Sequence, residues 1–426
     1  MSDQNLVTLP LLDTMITDSY RSIVAFHPRL PLIVTSYENN NAKIWEISTN
    51  GTKTLATGVL ILEGHREAVN SIAFHPRISL IATGSDDYSA KLWLLIKDDP
   101  GILRMIKSGT LNGHKDEINC VAFDPLGQYL ATSSNDNTVK LWSFPTRDDT
   151  TKKISCVATL KGHMGYVSSV AFHPILPILA TGSGDRTVKL WKISDDGTGG
   201  DCLATLGSWV ESKTVNSVAF HPVEPLIVIG HSDGTVKVWT ISQQGRSASC
   251  LTTLKGHRSN VYSVAFHPNG QFFATASLDM TVKLWLLRND NSSALCVSTF
   301  QLNSAVKSVV FDPSGRFLAT GCNSVQLWDC SLLTNEGRRS ELLATSKFAQ
   351  VAAEKIGVNS DFQKNILRRV MSQKNQALAV SLLTDEQSQE KSLAEIKKKA
   401  KQNGGKISRR KHKNRNNIQG IRKSRK

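Results

Sequence analysis

Short apolar runs separated by turn residues recur along most of the chain. One unit begins with the β-branched run 167–172, which Pro174 follows, and continues with the apolar run 178–183. A Gly-Asp turn, the run 187–191, a polar loop and the apolar run 202–206 complete it. Short strands bounded by Gly, Pro and Asp are typical of an all-β fold. Each unit therefore predicts four strands, and no segment with the length and period of a helix appears before residue 330.

The unit repeats at nearly constant spacing. Seven Trp residues, 43 to 49 residues apart, end the third strands: Trp45, Trp93, Trp142, Trp191, Trp239, Trp285 and Trp328. A Phe followed by His-Pro or Asp-Pro lies 19 residues before each of the first six and 17 before the last: Phe26, Phe74, Phe123, Phe172, Phe220, Phe266 and Phe311. Four strands in a repeat of about 40–50 residues match one blade of a β-propeller. The sequence thus predicts seven blades.

Two further signals recur in register with the Trp. A Gly-His pair opens four units, with its His 28 residues before the Trp: His65, His114, His163 and His257. An Asp lies six residues before the Trp in five units: Asp87, Asp136, Asp185, Asp233 and Asp279. On these recurring signals the chain resembles the WD-repeat family over residues 17–329.

The resemblance implies a buried hydrogen-bond chain in each blade, built from the opening His, a second-strand hydroxyl, the turn Asp and the Trp. In the fourth unit the hydroxyl is that of Thr181 or Ser183. The expected network residues are His65, Asp87, Trp93, His114, Asp136, Trp142, His163, Asp185, Trp191, Asp233, Trp239, His257, Asp279 and Trp285. A catalytic triad also contains a hydroxyl, a His and an Asp, but it is a unique site. Because this set recurs, we expect a structural role.

Three units depart from the pattern. Thr17 and Asn39 replace the His and the Asp of the first unit, and Glu211 replaces the His of the fifth. The seventh unit is shorter and carries Cys322 and Asn323 at its turn. We expect these three blades to lack the full set of internal hydrogen bonds.

A ring of blades must be closed, because an open edge strand promotes aggregation. The apolar run 6–9 precedes the first unit and is predicted to supply the outer strand of blade 7, beside residues 325–328. The alternative is that residues 341–343 supply it.

The remaining His and Cys residues do not indicate a metal site or a cofactor. Five His-Pro histidines lie in turns of different blades, which excludes tetrahedral coordination for most combinations of them: His27, His75, His173, His221 and His267. No C-x-x-C pair is present. Four cysteines share one position on successive outer strands and are expected to be small buried side chains: Cys156, Cys202, Cys250 and Cys296.

The positive charge is concentrated at the C-terminus. Residues 391–426 contain fifteen Lys or Arg and one acid, a charge of +14 out of +15 for the chain. Two basic clusters resemble a two-part nuclear import signal: Lys397, Lys398, Lys399, Arg409, Arg410, Lys411 and Lys413. They suit RNA, DNA or an acidic protein equally well, by counterion release. Helical spacing of apolar residues between 343 and 370 predicts helices that pack on the propeller or bind a partner.

The sequence therefore predicts an all-β, seven-bladed β-propeller of the WD-repeat type over residues 1–330. A helical extension over 331–396 and a basic, disordered tail over 397–426 follow. No signal peptide opens the chain and no apolar run reaches the ~18–20 residues of a membrane span, so we expect an intracellular protein, cytoplasmic or nuclear, without membrane contact.

No motif for nucleotide, metal or nucleophilic chemistry is present. We expect a non-catalytic scaffold that mediates protein–protein interactions through its top face. Carry-over from WD-repeat relatives gives candidate partner-binding residues beside the turn Asp, namely Glu38, Asp86, Asn135, Ser232 and Leu278, while Gly184 offers only backbone. The alternative is a nucleic-acid-associated factor, in ribosome assembly or chromatin, that acts through the basic tail.

Overall fold

Seven antiparallel sheets of four strands make up the fold. The structure is a computed structural model that describes residues 9–17, 22–50, 53–97, 103–144, 153–194, 197–207, 213–242, 244–288 and 293–334. The chain divides into two units, residues 1–334 and 335–426, and all described residues belong to the first. The all-β propeller with seven blades confirms the fold predicted from the repeats, whereas the predicted helical extension beyond Thr334 and the basic tail lie outside the described residues.

The strands follow one another at even spacing. The first half of the chain forms β1 Leu11–Ile16, β2 Val24–Phe26, β3 Leu32–Tyr37, β4 Asn41–Asn50, β5 Lys53–Leu62, β6 Val69–Phe74, β7 Leu80–Ser85, β8 Ser89–Lys97, β9 Leu103–Asn112, β10 Ile118–Phe123, β11 Tyr129–Ser134, β12 Val139–Ser143 and β13 Ser155–Leu160. The second half forms β14 Val167–Phe172, β15 Ile178–Ser183, β16 Val188–Ile193, β17 Gly200–Leu206, β18 Val215–Phe220, β19 Leu226–His231, β20 Thr235–Ile241, β21 Ala248–Lys255, β22 Val261–Phe266, β23 Phe272–Ser277, β24 Thr281–Leu287, β25 Ala294–Gln301, β26 Ser308–Phe311, β27 Phe317–Gly321, β28 Ser324–Asp329 and the helical turn α1 Ser331–Thr334.

Each of blades 1 to 6 uses four consecutive strands, from β2–β5 in blade 1 to β22–β25 in blade 6. The first strands of neighbouring blades contact one another, so they line the centre and the fourth strands form the rim. Because successive strands are antiparallel, the turns between them lie alternately at the two ends of each blade. We call the end with the turn between the second and third strands the Asp-turn face. The opposite end, with the His-Pro and Asp-Pro turns, is the Pro-turn face.

The hydrophobic core lies between blades rather than within them. Every residue of β7, β15, β19 and β23 is buried, because both faces of these second strands are covered. Trp93 of blade 2, for example, packs in one cluster with Ile44 and Leu62 of blade 1. Each Trp therefore joins two neighbouring sheets.

A ring of serine hydroxyls near the centre also connects the blades. Each of these serines stands three residues before the Phe of its blade and accepts the backbone N–H of a valine in the next blade. The pairs are Ser71–Val121 (3.0 Å), Ser169–Val218 (3.2 Å), Ser217–Val264 (3.2 Å), Ser263–Val309 (3.2 Å) and Ser308–Val24 (3.4 Å). The last pair joins blade 7 to blade 1, so the circle of seven blades is closed.

Blade 7 takes its outer strand from the N-terminal end of the chain. Strand β1 pairs antiparallel with β28, with Met15 opposite Val325 and Leu11 opposite Trp328. The prediction that an N-terminal strand closes blade 7 is confirmed, but the strand that pairs with β28 is Leu11–Ile16 rather than residues 6–9. The strand begins at Leu11, after Pro10, which lacks the N–H needed inside a strand ladder. The alternative segment 341–343 lies outside the described residues.

Candidate functional site

The repeated His, Asp and Trp residues meet in one hydrogen-bond chain, seen most simply in blade 4. The Trp191 indole N–H donates to Thr181 Oγ1 at 2.9 Å, and Thr181 Oγ1 lies 2.7 Å from His163 Nε2. His163 Nδ1 lies 2.7 Å from the Asp185 carboxylate. The hydroxyl is thus that of Thr181, while Ser183 donates to the Gly165 carbonyl and accepts the Asp185 N–H.

The same chain is present in blades 2, 3 and 6. The indole donates to a threonine hydroxyl at 2.8–3.0 Å in Trp93–Thr83, Trp142–Thr132 and Trp285–Thr275. The hydroxyl lies 2.7–2.8 Å from the imidazole in Thr83–His65, Thr132–His114 and Thr275–His257. The imidazole lies 2.8–3.0 Å from the carboxylate in His65–Asp87, His114–Asp136 and His257–Asp279.

Blades 1, 5 and 7, whose sequences depart from the repeat, differ from these four blades and from one another. In blades 1 and 7 the indole still reaches a hydroxyl, in Trp45–Thr35 at 2.9 Å and in Trp328–Thr320 at 3.0 Å. Thr17 does not replace the missing His, because it donates instead to the Asn323 carbonyl of blade 7 at 3.2 Å.

Blade 5 has no such chain among the described residues. Ile229 stands ten residues before Trp239, where blades 1 to 4 and 6 carry the threonine, and the Trp239 N–H has no acceptor in the described part of the chain. Asp233 instead pairs with Lys213 at 2.7 Å. The structure therefore does not bring Asp233 and Trp239 into one network, and Glu211 lies outside the described residues.

The predicted partner-binding residues all lie at the Asp-turn face, next to the turns. Glu38 and Leu278 are exposed, and the other three are half-buried. Asp86 accepts a hydrogen bond from the Asn70 amide, and the Asn135 amide donates to Glu117 at 2.8 Å. Ser232 Oγ accepts the Thr214 N–H at 3.0 Å. These polar residues hold the turns in place and present only part of their surface to a partner.

Two exposed residues of the Asp-turn face were not predicted from the sequence. Met164 is 71% exposed and Tyr166 is 41% exposed. Tyr166 lies over the turn at Gly184, where a Cβ atom would collide with its ring. The available signal was a change of residue type, since Met164 follows the Gly-His pair at a position where blades 2, 3 and 6 carry Arg66, Lys115 and Arg258.

The sequence profile of the family described as WD domain, G-beta repeat matches six segments of the chain. They are residues 56–93, 106–143, 154–192, 200–240, 248–285 and 294–329, which together exceed half of its length. The chain belongs to the WD-repeat family. WD-repeat propellers typically act as protein-interaction scaffolds and generally lack enzymatic activity. A comparison with curated proteins found no match.

Each matched segment begins on the outer strand of one blade and ends at the third strand of the next, so a WD repeat in sequence is offset from a blade in space. The first three strands of blade 1 lie outside the matched segments. This agrees with the replacement of its His and Asp by Thr17 and Asn39.

In blade 3, the electrostatics fix the protonation states of His114 and Asp136. Burial alone would raise the pKa of Asp136, but hydrogen bonds from Thr138, the Lys115 N–H and His114 outweigh it and lower the pKa to about 2. Burial lowers the pKa of His114 against the opposing effect of Asp136. The imidazole is therefore neutral near pH 7, donates from Nδ1 to the carboxylate and accepts the threonine O–H at Nε2. Every donor of the hydrogen-bond network in blade 3 then has an acceptor.

The His-Pro histidines hold the turns of the Pro-turn face. His75 Nδ1 accepts the backbone N–H groups of Arg77 and Ile78 at 3.1 Å, and its Nε2 donates to the Gly127 carbonyl of the next blade at 2.9 Å. Asp124 accepts backbone N–H groups at the equivalent position of blade 3. Within the described ranges, no group of three or more His, Cys, Asp or Glu side chains could hold a metal ion.

The prediction that the outer-strand cysteines are buried was wrong. Cys156, Cys202 and Cys250 are exposed and Cys296 is half-buried. Each lies opposite the Trp of its blade on the outermost strand, as Cys156 does opposite Trp142, and no further strand covers it. The residues that the structure describes include no helix long and apolar enough to cross a membrane.

Acidification is expected to destabilise the propeller between pH 6.5 and about pH 4. Burial, helped by the nearby Arg29, lowers the pKa of His27 from 6.5 to about 4. Below pH 6.5 His27 therefore binds a proton in the unfolded chain but not in the folded chain. The free energy of unfolding falls as the pH falls. Urea denaturation at pH 7 and pH 4.5 measures the change.

The control for this effect is His27→Asn, whose side-chain oxygen can still accept the turn N–H groups. This variant should lose part of the dependence on pH, with the rest arising from His65, His75, His114, His173 and His221, whose pKa values burial also lowers. An unchanged dependence would contradict the assignment to His27.

Proposed function

We propose that the chain is a non-catalytic scaffold that binds other proteins on its Asp-turn face. The observation that carries this proposal is the exposed pair Met164 and Tyr166, with the Tyr166 ring packed against the turn at Gly184. Aromatic and Met side chains are enriched at protein interfaces, and a preformed turn loses little entropy on binding. Glu38 of blade 1 and Leu278 of blade 6 are also exposed at this end of the propeller.

The burial of the hydroxyl–His–Asp sets supports a role other than catalysis. Thr83, Thr132, Thr181 and Thr275 are each 0% exposed, and each hydroxyl is already engaged by an indole and an imidazole. A nucleophile must reach its substrate, and these hydroxyls face the gap between two sheets. Such sets stabilise the blades that carry the binding surface.

Replacing Tyr166 by serine is expected to weaken partner binding at least tenfold, because exposed aromatic side chains on rigid turns act as interaction hot spots. Affinity purification with the full-length chain identifies the partner, and titration of that partner gives the dissociation constant for each variant. The matched control is Leu251→Ser, which removes an exposed aliphatic side chain from the rim strand β21. Equal loss in both variants, or in neither, would contradict the proposed site.

The second candidate is a nucleic-acid-associated factor that acts through residues 391–426. The specific observation in its favour is that this segment carries +14 of the net charge of +15. Deleting residues 391–426 should abolish binding to a 20-nucleotide RNA or DNA, and binding by the full chain should weaken steeply with salt. Binding that survives the deletion, or that does not depend on salt, would exclude the tail as its origin.

A further inference from the structure

The Pro-turn face of blades 1 to 5 carries one exposed aliphatic side chain per blade. These residues stand two or three positions after the turn His or Asp and are between 43% and 71% exposed: Leu30, Ile78, Leu126, Ile175 and Val223. Single exposed aliphatic residues are common on protein surfaces. Five of them, at corresponding turns of five consecutive blades, form an arc of apolar side chains on this face, and such an ordered set of exposed apolar residues indicates an interaction site.

Blades 6 and 7 interrupt the arc, and the structure shows what covers this face there. Asn269 and Ser314 occupy the equivalent turn positions. The helical turn α1 lies against these two blades: the Asn269 amide donates to the Leu333 carbonyl at 3.3 Å, and the Cys330 N–H donates to the Arg316 carbonyl at 2.6 Å. Leu333 is 2% exposed. A helical turn with an aliphatic side chain is thus already bound at this face.

Two cations stand at one end of the arc. Arg29 precedes Leu30 in blade 1, and Arg77 precedes Ile78 in blade 2. Both arginines are exposed, and neither guanidinium pairs with a carboxylate among the residues that the structure describes. Blades 1 and 2 therefore offer aliphatic and cationic groups side by side.

We propose that this arc binds an amphipathic, acidic helix of a partner protein. The apolar side of the helix packs on Leu30, Ile78 and Leu126 and continues towards Ile175, as Leu333 packs on blades 6 and 7. Acidic side chains along its flank pair with Arg29 and Arg77, since Arg binds carboxylates in a bidentate fashion. The surface lies at the opposite ends of the blades from Tyr166, so it adds a second binding face to the proposed scaffold.

A phage-displayed library of 20-residue helical peptides, panned against the full-length chain, tests this proposal. We expect enriched clones with aliphatic residues at i, i+3, i+4 and i+7 and with Asp or Glu on the adjacent flank. Fluorescence anisotropy of the synthesised consensus peptide then gives its affinity. Ile78→Ser and the double variant Arg29→Glu with Arg77→Glu should each weaken binding at least tenfold.

Two controls separate this face from other surfaces and from the proposed function. Leu251→Ser on the rim and Tyr166→Ser on the Asp-turn face should leave peptide affinity unchanged. Failure of the Tyr166 experiment with continued peptide binding would reject the Asp-turn face alone. Failure of the peptide experiment would reject the Pro-turn face alone.

Three results would overturn the proposal. The first is the absence of enriched clones, and the second is enrichment of peptides whose affinity does not respond to the arginine and Ile78 variants. The third comes from a photo-crosslinking residue at position 175 of the full-length chain. Crosslinks to residues 335–426 or to a second copy of the chain would show that the arc is already occupied.

Discussion

Replacing Thr181 by valine is expected to lower the free energy of unfolding by roughly 2–5 kcal/mol, because it leaves two buried groups unpaired. Valine keeps the shape of threonine but cannot accept the Trp191 N–H or donate to His163 Nε2. Both groups lie between two sheets, where water does not replace the lost partner. A network that is fully satisfied stiffens a fold, and a half-satisfied one weakens it.

Urea denaturation of the purified chain measures this change, and blade 4 offers a matched control. Thr205 lies on the rim strand β17 of the same blade and is exposed; its hydroxyl accepts a hydrogen bond from the Lys189 amine and lies 3.9 Å from Cys202 Sγ. Thr205→Val should therefore change stability by less than about 0.5 kcal/mol. Similar losses in both variants would mean that the hydroxyl of Thr181 has no special role.

Blade 5 naturally lacks the hydroxyl that the Thr181→Val variant removes from blade 4. Ile229 occupies the threonine position, and the Trp239 N–H has no acceptor within the described residues. Ile229 is 2% exposed, so its apolar burial offsets part of the missing hydrogen bond. The ring thus tolerates one blade in which the indole has no acceptor among the described residues and two blades that keep only the bond from indole to hydroxyl, while the four complete blades stabilise it.

The repeat predicted the blades because the same physical requirement recurs in every unit. An indole buried between sheets needs an acceptor, and the spacing of His65, Asp87 and Trp93 is set by the strands that bring them together. The sequence left Thr181 and Ser183 as alternatives, since residues two apart on a strand lie on the same face. Only the pairing register, with Leu179 opposite Trp191, places Thr181 under the indole.

Two predictions from the sequence were wrong because the same residues can occur in more than one environment. Cysteine is often buried, but Cys202 lies on the outermost strand, which no neighbour covers. The closing strand was placed five residues too early because residues 6–9 and Leu11–Ile16 both contain several apolar residues. Pattern alone does not distinguish two such neighbouring runs, whereas the bonded register to β28 does.

The exposed surfaces that we propose for partner binding were the least predictable part. Tyr166 and Ile175 do not belong to the repeated signals, because a repeat records what every blade needs for folding. A binding surface requires only that some blades differ. The signal is therefore a departure from the repeat, as at Met164, and its meaning depends on which face of the propeller the position occupies.

Replacing Met15 by lysine is expected to lower the free energy of unfolding by roughly 3–5 kcal/mol and to open the ring at blade 7. Met15 is 1% exposed and packs with Ile33 and Trp45 of blade 1, so the charged amine would be buried among apolar side chains. If β1 detaches, β28 becomes an open edge strand, which pairs readily with other chains. Denaturation and light scattering measure the two consequences, lower stability and aggregation that rises with concentration.

The neighbouring residue of the same strand is the control, because successive side chains point to opposite faces. Thr14 is exposed, so Thr14→Lys should change stability by less than about 0.5 kcal/mol and should leave the chain monodisperse at every concentration at which the wild type is. If Met15→Lys unfolds with the same midpoint as Thr14→Lys, β1 does not close the ring. If both variants aggregate equally, the added charge itself, rather than the loss of β1, is the cause.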